Sequence, residues 1–124
     1  MPYDGLETLL FLDGERFFID PDGKYWVKFE VNRARVNEHI PHGIRYSLTL
    51  HGPGNRRILG YDNSHQIKPG SRKKYGAKRT AWDHKHLEHK TQIYEFDSPE
   101  ALVSDFWEDV DKIMREVEKQ WEKQ

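Results

Sequence analysis

Two groups of side chains in the stretch from Gly60 to His89 are of the types that proton transfer, metal ligation and phosphate chemistry use. The first is Gly60-Tyr61-Asp62-Asn63 followed by His65, delivered by the strand-like run Arg56-Arg57-Ile58-Leu59. The second is Asp83-His84-Lys85-His86 followed by His89. A glycine- and lysine-rich segment lies between them, and its cations would attract a polyanion. Metal-independent cleavage of RNA needs a base for the 2′-hydroxyl, an acid for the leaving oxygen and cations on the phosphate. Imidazole, titrating near pH 6.5, can serve as either base or acid.

His84 and His86, two residues apart, project from one face if the chain there is extended, so both can reach one phosphate. His65 would join them from the first group. Asp62 and Asp83 are candidates to orient an imidazole, and Tyr61 to donate a proton or stack on a base. Arg45, Lys85 and the intervening cations Lys68, Arg72, Lys73, Lys74, Lys78 and Arg79 would hold phosphate. Two other readings of the same residues stand beside this one. His84 and His86 with Asp62 or Asp83 form a ligand set for a divalent metal such as zinc, nickel or manganese, whereas acid–base chemistry needs no cofactor. Alternatively, Tyr61, Asp62, Asn63 and the histidines form a hydrogen-bonded network that pins the segment to the sheet.

The rest of the chain must position these groups. Its 124 residues suit one domain with a single core, residues 1–124. The composition is polar, with 33% charged residues, but 13% aromatic argues against disorder. The absence of cysteine excludes disulfides, zinc-thiolate sites and thiol catalysis. No basic leader or long apolar segment is present, so a soluble cytosolic protein without membrane contact is expected. The net charge of −1 conceals a polarity. Residues 65–90 carry eight cations against two acids, and residues 97–124 nine acids against four bases.

Thr8 to Leu12 and Arg16 to Ile19 read as strands around an Asp13-Gly14 hairpin, and Pro21-Asp22-Gly23 as a further turn. From Lys24 to Val36 the pattern alternates, with Tyr25, Val27, Phe29 and Val31 on one face. Arg45 to His51, the Gly52-Pro53-Gly54-Asn55 turn and Arg56 to Tyr61 form a hairpin with Tyr46, Leu48 and Leu50 inward. That hairpin brings Tyr61 to Asn63 beside Arg45 and Tyr46. Residues 64–82 read as a long mobile basic loop. Thr91 to Phe96 reads as a last strand.

A long helix then runs from Ser98 to near residue 123, with Ser98 as cap and Pro99 in its first turn. Leu102, Phe106, Val110, Ile113, Val117 and Trp121 make one apolar stripe. At 1.5 Å per residue this helix is about 37 Å long, longer than a small sheet is wide. Its last turns would therefore project, with Val117 and Trp121 needing cover; a homodimer through this helix is one way to supply it. The expected fold is α+β, an antiparallel sheet of five to six strands with the helix packed on one face.

HGIRYSLTLH (42–51), ILGYDNSH (58–65), YGAKRTAWDHKH (75–86) and YEFDSPEALVSDFWEDVDKI (94–113) resemble, in that order, the TumE-type proteins of bacterial and archaeal toxin–antitoxin pairs. The resemblance extends from about Lys24 to Ile113. It implies a toxin whose partner is a helix-turn-helix, DNA-binding antitoxin. Combined with the residues above, the expectation is a toxin acting on RNA, held inactive when the antitoxin covers the basic loop. A non-enzymatic module that binds nucleic acid or protein, with structural histidines, is the alternative.

Overall fold

A computed structural model describes residues 5–38, 40–63 and 83–122. Six strands form one antiparallel sheet in chain order: β1 (Arg16–Phe18), β2 (Trp26–Arg33), β3 (Ile44–His51), β4 (Arg57–Asp62), β5 (His84–Leu87) and β6 (Lys90–Ile93). Two helices, α1 (Leu6–Phe11) and α2 (Pro99–Glu122), touch each other and contribute to a single core. This is the α+β arrangement expected from the sequence.

The alternation of β2 and β3 builds that core. Val27, Phe29 and Val31 stand opposite Leu50, Leu48 and Tyr46, and all six are buried. Leu59 and Tyr61 of β4 extend the same face, and Leu102, Phe106 and Val110 of α2 close over it. Ala101 N–H donates to Ser98 Oγ at 3.0 Å, so the expected cap starts α2. Val117 is half-buried against the core, so the chain covers part of the apolar end that was expected to need a partner.

Thr8 to Leu12 is not a strand. Leu6, Leu9 and Leu10 repeat at helical spacing, and a short apolar run by itself fits either structure. Gly5, at φ 87°, begins α1, and Leu9 is buried between the helices and the sheet. Asp13-Gly14 accordingly turns the chain out of a helix rather than between two strands. Gly14 N–H donates to Phe29 O at 2.7 Å, and Asp13 Oδ1 accepts from Val31 N–H at 2.9 Å. β6 stops at Ile93, earlier than expected, and Tyr94 and Phe96 pack against the core beyond its end.

Asn63 fixes the end of β4 to β3. Its Oδ1 accepts from Tyr46 N–H and its Nδ2 donates to Ile44 O, both at 2.9 Å, and the residue is fully buried. Asn63→Ala removes both partners and leaves two buried backbone groups unpaired. It is expected to destabilise the protein by about 2–4 kcal/mol, measured from the urea midpoint.

Candidate functional site

Strand alternation divides the two sequence groups between the faces of the sheet. β4 and β5 pair with Gly60 opposite His86, Tyr61 opposite Lys85 and Asp62 opposite His84. Directly opposed residues share a face, so Asp62, His84 and His86 lie on the face away from α2, while Tyr61 and Lys85 lie beneath the helix.

On the first of these faces Asp62 spans the two imidazoles. Its Oδ1 lies 3.0 Å from His84 Nε2 and its Oδ2 lies 3.2 Å from His86 Nε2. The rings meet edge to face with centroids 4.7 Å apart. Asp62 and His84 are buried, but the His86 side chain keeps 18% of its surface exposed. His86 Nδ1 lies 3.1 Å from Thr91 Oγ1 on β6. Desolvation is the largest influence on His86 and pushes its pKa below the usual 6.5. Asp62 opposes this shift, whereas Arg57 and His84 reinforce it. The imidazole is therefore neutral at pH 7 and able to accept a proton.

Gly60 leaves a flat place in front of His86. A Cβ built there would lie 3.5 Å from Arg57 Cδ and Nη1, so the Arg57 side chain lies across the glycine. Arg57 and Thr91, both exposed, are site residues that the sequence reading missed. The signal available was the glycine inside an otherwise bulky strand, which marks close approach by another group. Arg45, which the sequence reading did select, is exposed on this face, one row beyond Ser47, the β3 partner of Asp62.

Tyr61, Lys85 and Asp83 do not join the imidazole pair, because each has the strand parity of the helix face. Tyr61 donates its hydroxyl to Asp109 Oδ2 at 2.6 Å, and Lys85 Nζ donates to the same oxygen at 2.9 Å. Burial first, then Asp109, holds the Tyr61 phenol far above its ordinary range. Asp83 does orient a histidine, but that histidine is His42, at 3.1 Å; its Oδ2 also accepts from the Tyr46 hydroxyl at 2.8 Å. His42, Asp105 and Asp109 were not selected from the sequence. Asp105 and Asp109 are one helical turn apart on α2, and they receive Tyr94 and Tyr61 respectively. Tyr61→Phe is expected to lower stability by about 1.5–3 kcal/mol, read from the urea midpoint, without altering chemistry at the opposite face.

Among the described residues, Asp62, His84 and His86 form a set able to hold a metal ion, with one ligand atom from each and all such atoms within 4.8 Å of one another. His65, Lys68, Arg72, Lys73, Lys74, Lys78 and Arg79, with the rest of the expected basic loop, lie outside the described residues.

The family model described as Toxin TumE matches residues 9–114. The chain belongs to the TumE toxin family. The matched span of this TumE chain contains all six strands, the Asp62–His84–His86 cluster and most of α2. Membership makes it a toxin and implies an antitoxin partner. No curated protein and no solved structure gave a match. Among the described residues, no helix of this TumE toxin is long and apolar enough to cross a membrane.

Proposed function

We propose that this toxin acts by cleaving RNA, with His86 as the proton-transfer group and Arg57 as the phosphate-binding cation. The observation that carries the reading is the hydrogen-bonded line Asp62–His86–Thr91 beside Arg57, on a floor kept flat by Gly60. With its proton on Nε2 and directed at Asp62, His86 presents the Nδ1 lone pair to a hydroxyl, the place that Thr91 Oγ1 takes in the structure. A ribose 2′-hydroxyl displacing Thr91 gives its proton to Nδ1 while O2′ attacks phosphorus. The P–O5′ bond breaks, water protonates the departing O5′, and a 2′,3′-cyclic phosphate remains. Arg57 stabilises the charge that develops on the phosphate oxygens. His84, 97% removed from solvent, holds the other oxygen of Asp62 and takes no proton from substrate.

The test is purified protein with an end-labelled oligoribonucleotide and the same oligomer made 2′-deoxy throughout. Cyclic phosphate ends are expected from the first and no cleavage of the second; equal cleavage of both would sink the reading. Because the His86 pKa is lowered, the base form survives mild acid. The acid limb of kcat/KM against pH is therefore expected to have its midpoint below 6.5. A midpoint above that value would remove His86 from the role of base.

A second reading has its own support, the convergence of three ligand atoms. His84, His86 and one carboxylate oxygen of Asp62 would hold a divalent cation, which would supply Lewis-acid stabilisation of phosphate charge. Thr91 would then accept the Nδ1–H of His86 and leave Nε2 for the ion, the opposite tautomer. The helix-turn-helix character of the antitoxin also belongs to the proposal. Activity that survives chelator favours acid–base catalysis, whereas loss in chelator with recovery on adding one divalent cation favours the metal.

A further inference from the structure

On the same face of the sheet a cleft of about 880 Å³ lies between β1, the start of β2 and the turn that joins β3 to β4. Trp26 and His51 form its shelf, with ring centroids 4.2 Å apart and planes 11° from parallel. The Arg16 guanidinium carbon lies 5.4 Å from the Trp26 ring centroid. Phe18 is the register partner of Trp26 and so projects on the same side, where 71% of its surface is exposed. Arg16 and Lys24 line the cleft, and among the described residues no aspartate or glutamate does.

The chemistry of these walls selects a ligand. Exposed aromatic rings hold a flat, weakly charged partner, and the cations beside them hold an anion attached to it; an unpaired nucleobase on its phosphate has both parts. Burial pushes the His51 pKa below 6.5, with Lys28, Arg57 and Arg16 adding to the shift against a hydrogen bond to Asn55. Trp26 is stacked on His51 with Arg16 also over its ring, so Phe18 is the exposed ring of the cleft. The turn packs on the core through Gly52 and faces open space at Gly54. A Cβ on Gly52 would fall 2.8 Å from Ile58 Cδ1, and Gly54, at φ 74°, has nothing within 4 Å of where its Cβ would be.

The cleft also lies in line with the candidate catalytic group. His51 Nε2 is 2.9 Å from Thr49 Oγ1, and Thr49, Gly60 and His86 are consecutive register partners on β3, β4 and β5. Two strand spacings, about 10 Å, separate the β3 and β5 backbones. The surface between them is formed by a threonine and a glycine, with Arg57 alongside.

Resting on the RNA-cleavage reading above, we propose that this cleft stacks an unpaired base a few nucleotides away from the scissile bond, since Phe18 on β1 is four strand spacings, about 19 Å, from β5. The substrate strand then runs from Phe18 and Trp26, past Arg57, to His86. Binding of a fluorescein-labelled ten-nucleotide RNA to the non-cleaving His86→Ala protein, followed by anisotropy, tests it. Adding Phe18→Ala is expected to weaken binding roughly 5- to 100-fold, Phe18→Leu to do nearly the same, and Phe18→Trp to retain it.

With His86 intact, the kcat/KM preference for the decamer over a dinucleotide too short to reach the cleft is expected to fall by the same factor in Phe18→Ala. Unchanged decamer binding, or equal loss of kcat/KM on both substrates, overturns the subsite while leaving the RNA reading in place. Absence of RNA binding by the parent overturns both. Intact RNA binding with loss of neutralisation by the antitoxin overturns the subsite and assigns the cleft to the protein partner.

Discussion

His86→Ala is expected to lower RNA cleavage by about 10²–10⁴-fold and to abolish growth arrest on induced expression. The size follows from what the change removes, a positioned base held between Asp62 and Thr91. Stability should change little, because the ring retains solvent contact and Asp62 keeps His84 as a partner. That separation matters, since a toxin that merely unfolds also ceases to arrest growth. The informative comparison is therefore the urea midpoint beside the cleavage rate. A His86→Ala protein that is stable and still cleaves at the parent rate would exclude this imidazole from the chemistry. A His84→Ala protein is expected to lose both properties, because His84, unlike His86, is fully enclosed, and its truncation leaves a cavity beside the buried Asp62 carboxylate.

The largest effect on folding is expected from Phe106→Ala. Phe106 is fully buried and meets Phe29, Tyr61 and Trp107 with centroids 5.6, 5.8 and 5.8 Å away. Truncation removes these ring contacts and leaves a cavity between α2 and the sheet. The expected loss is about 3–5 kcal/mol, seen as a fall of roughly 10–20 °C in Tm. Phe106→Leu should lose clearly less, because most of the volume remains. If the alanine variant melted within a few degrees of the parent, α2 would not be the element that closes the core.

The sheet and α2 were legible because their signals are local. Alternation over Tyr25–Val31, the Gly52–Asn55 turn and the Ser98-Pro99 start with its apolar stripe each identify an element without knowledge of its partners. Thr8 to Leu12 failed because a short leucine-rich run fits a helix or a strand, and packing on α2 decided for the helix. The site was legible in part. Extended geometry at His84 and His86 put two imidazoles on one face, and Asp62 meets them. Tyr61 and Lys85, adjacent in sequence to those residues, were separated from them by the same alternation once β4 and β5 are known to pair. Arg57 and Thr91 depend on that register as well, which residue types alone do not fix.

Because the six strands pair in the order in which they are made, the sheet can assemble progressively during synthesis. Asp62 meets its imidazoles only after β5 has been added, and the inner face is sealed only when α2, later in the chain than every strand, lies across it. A partly translated toxin therefore lacks a finished core. The ribosome making it is exposed to the completed fold only after the helix has left the exit tunnel.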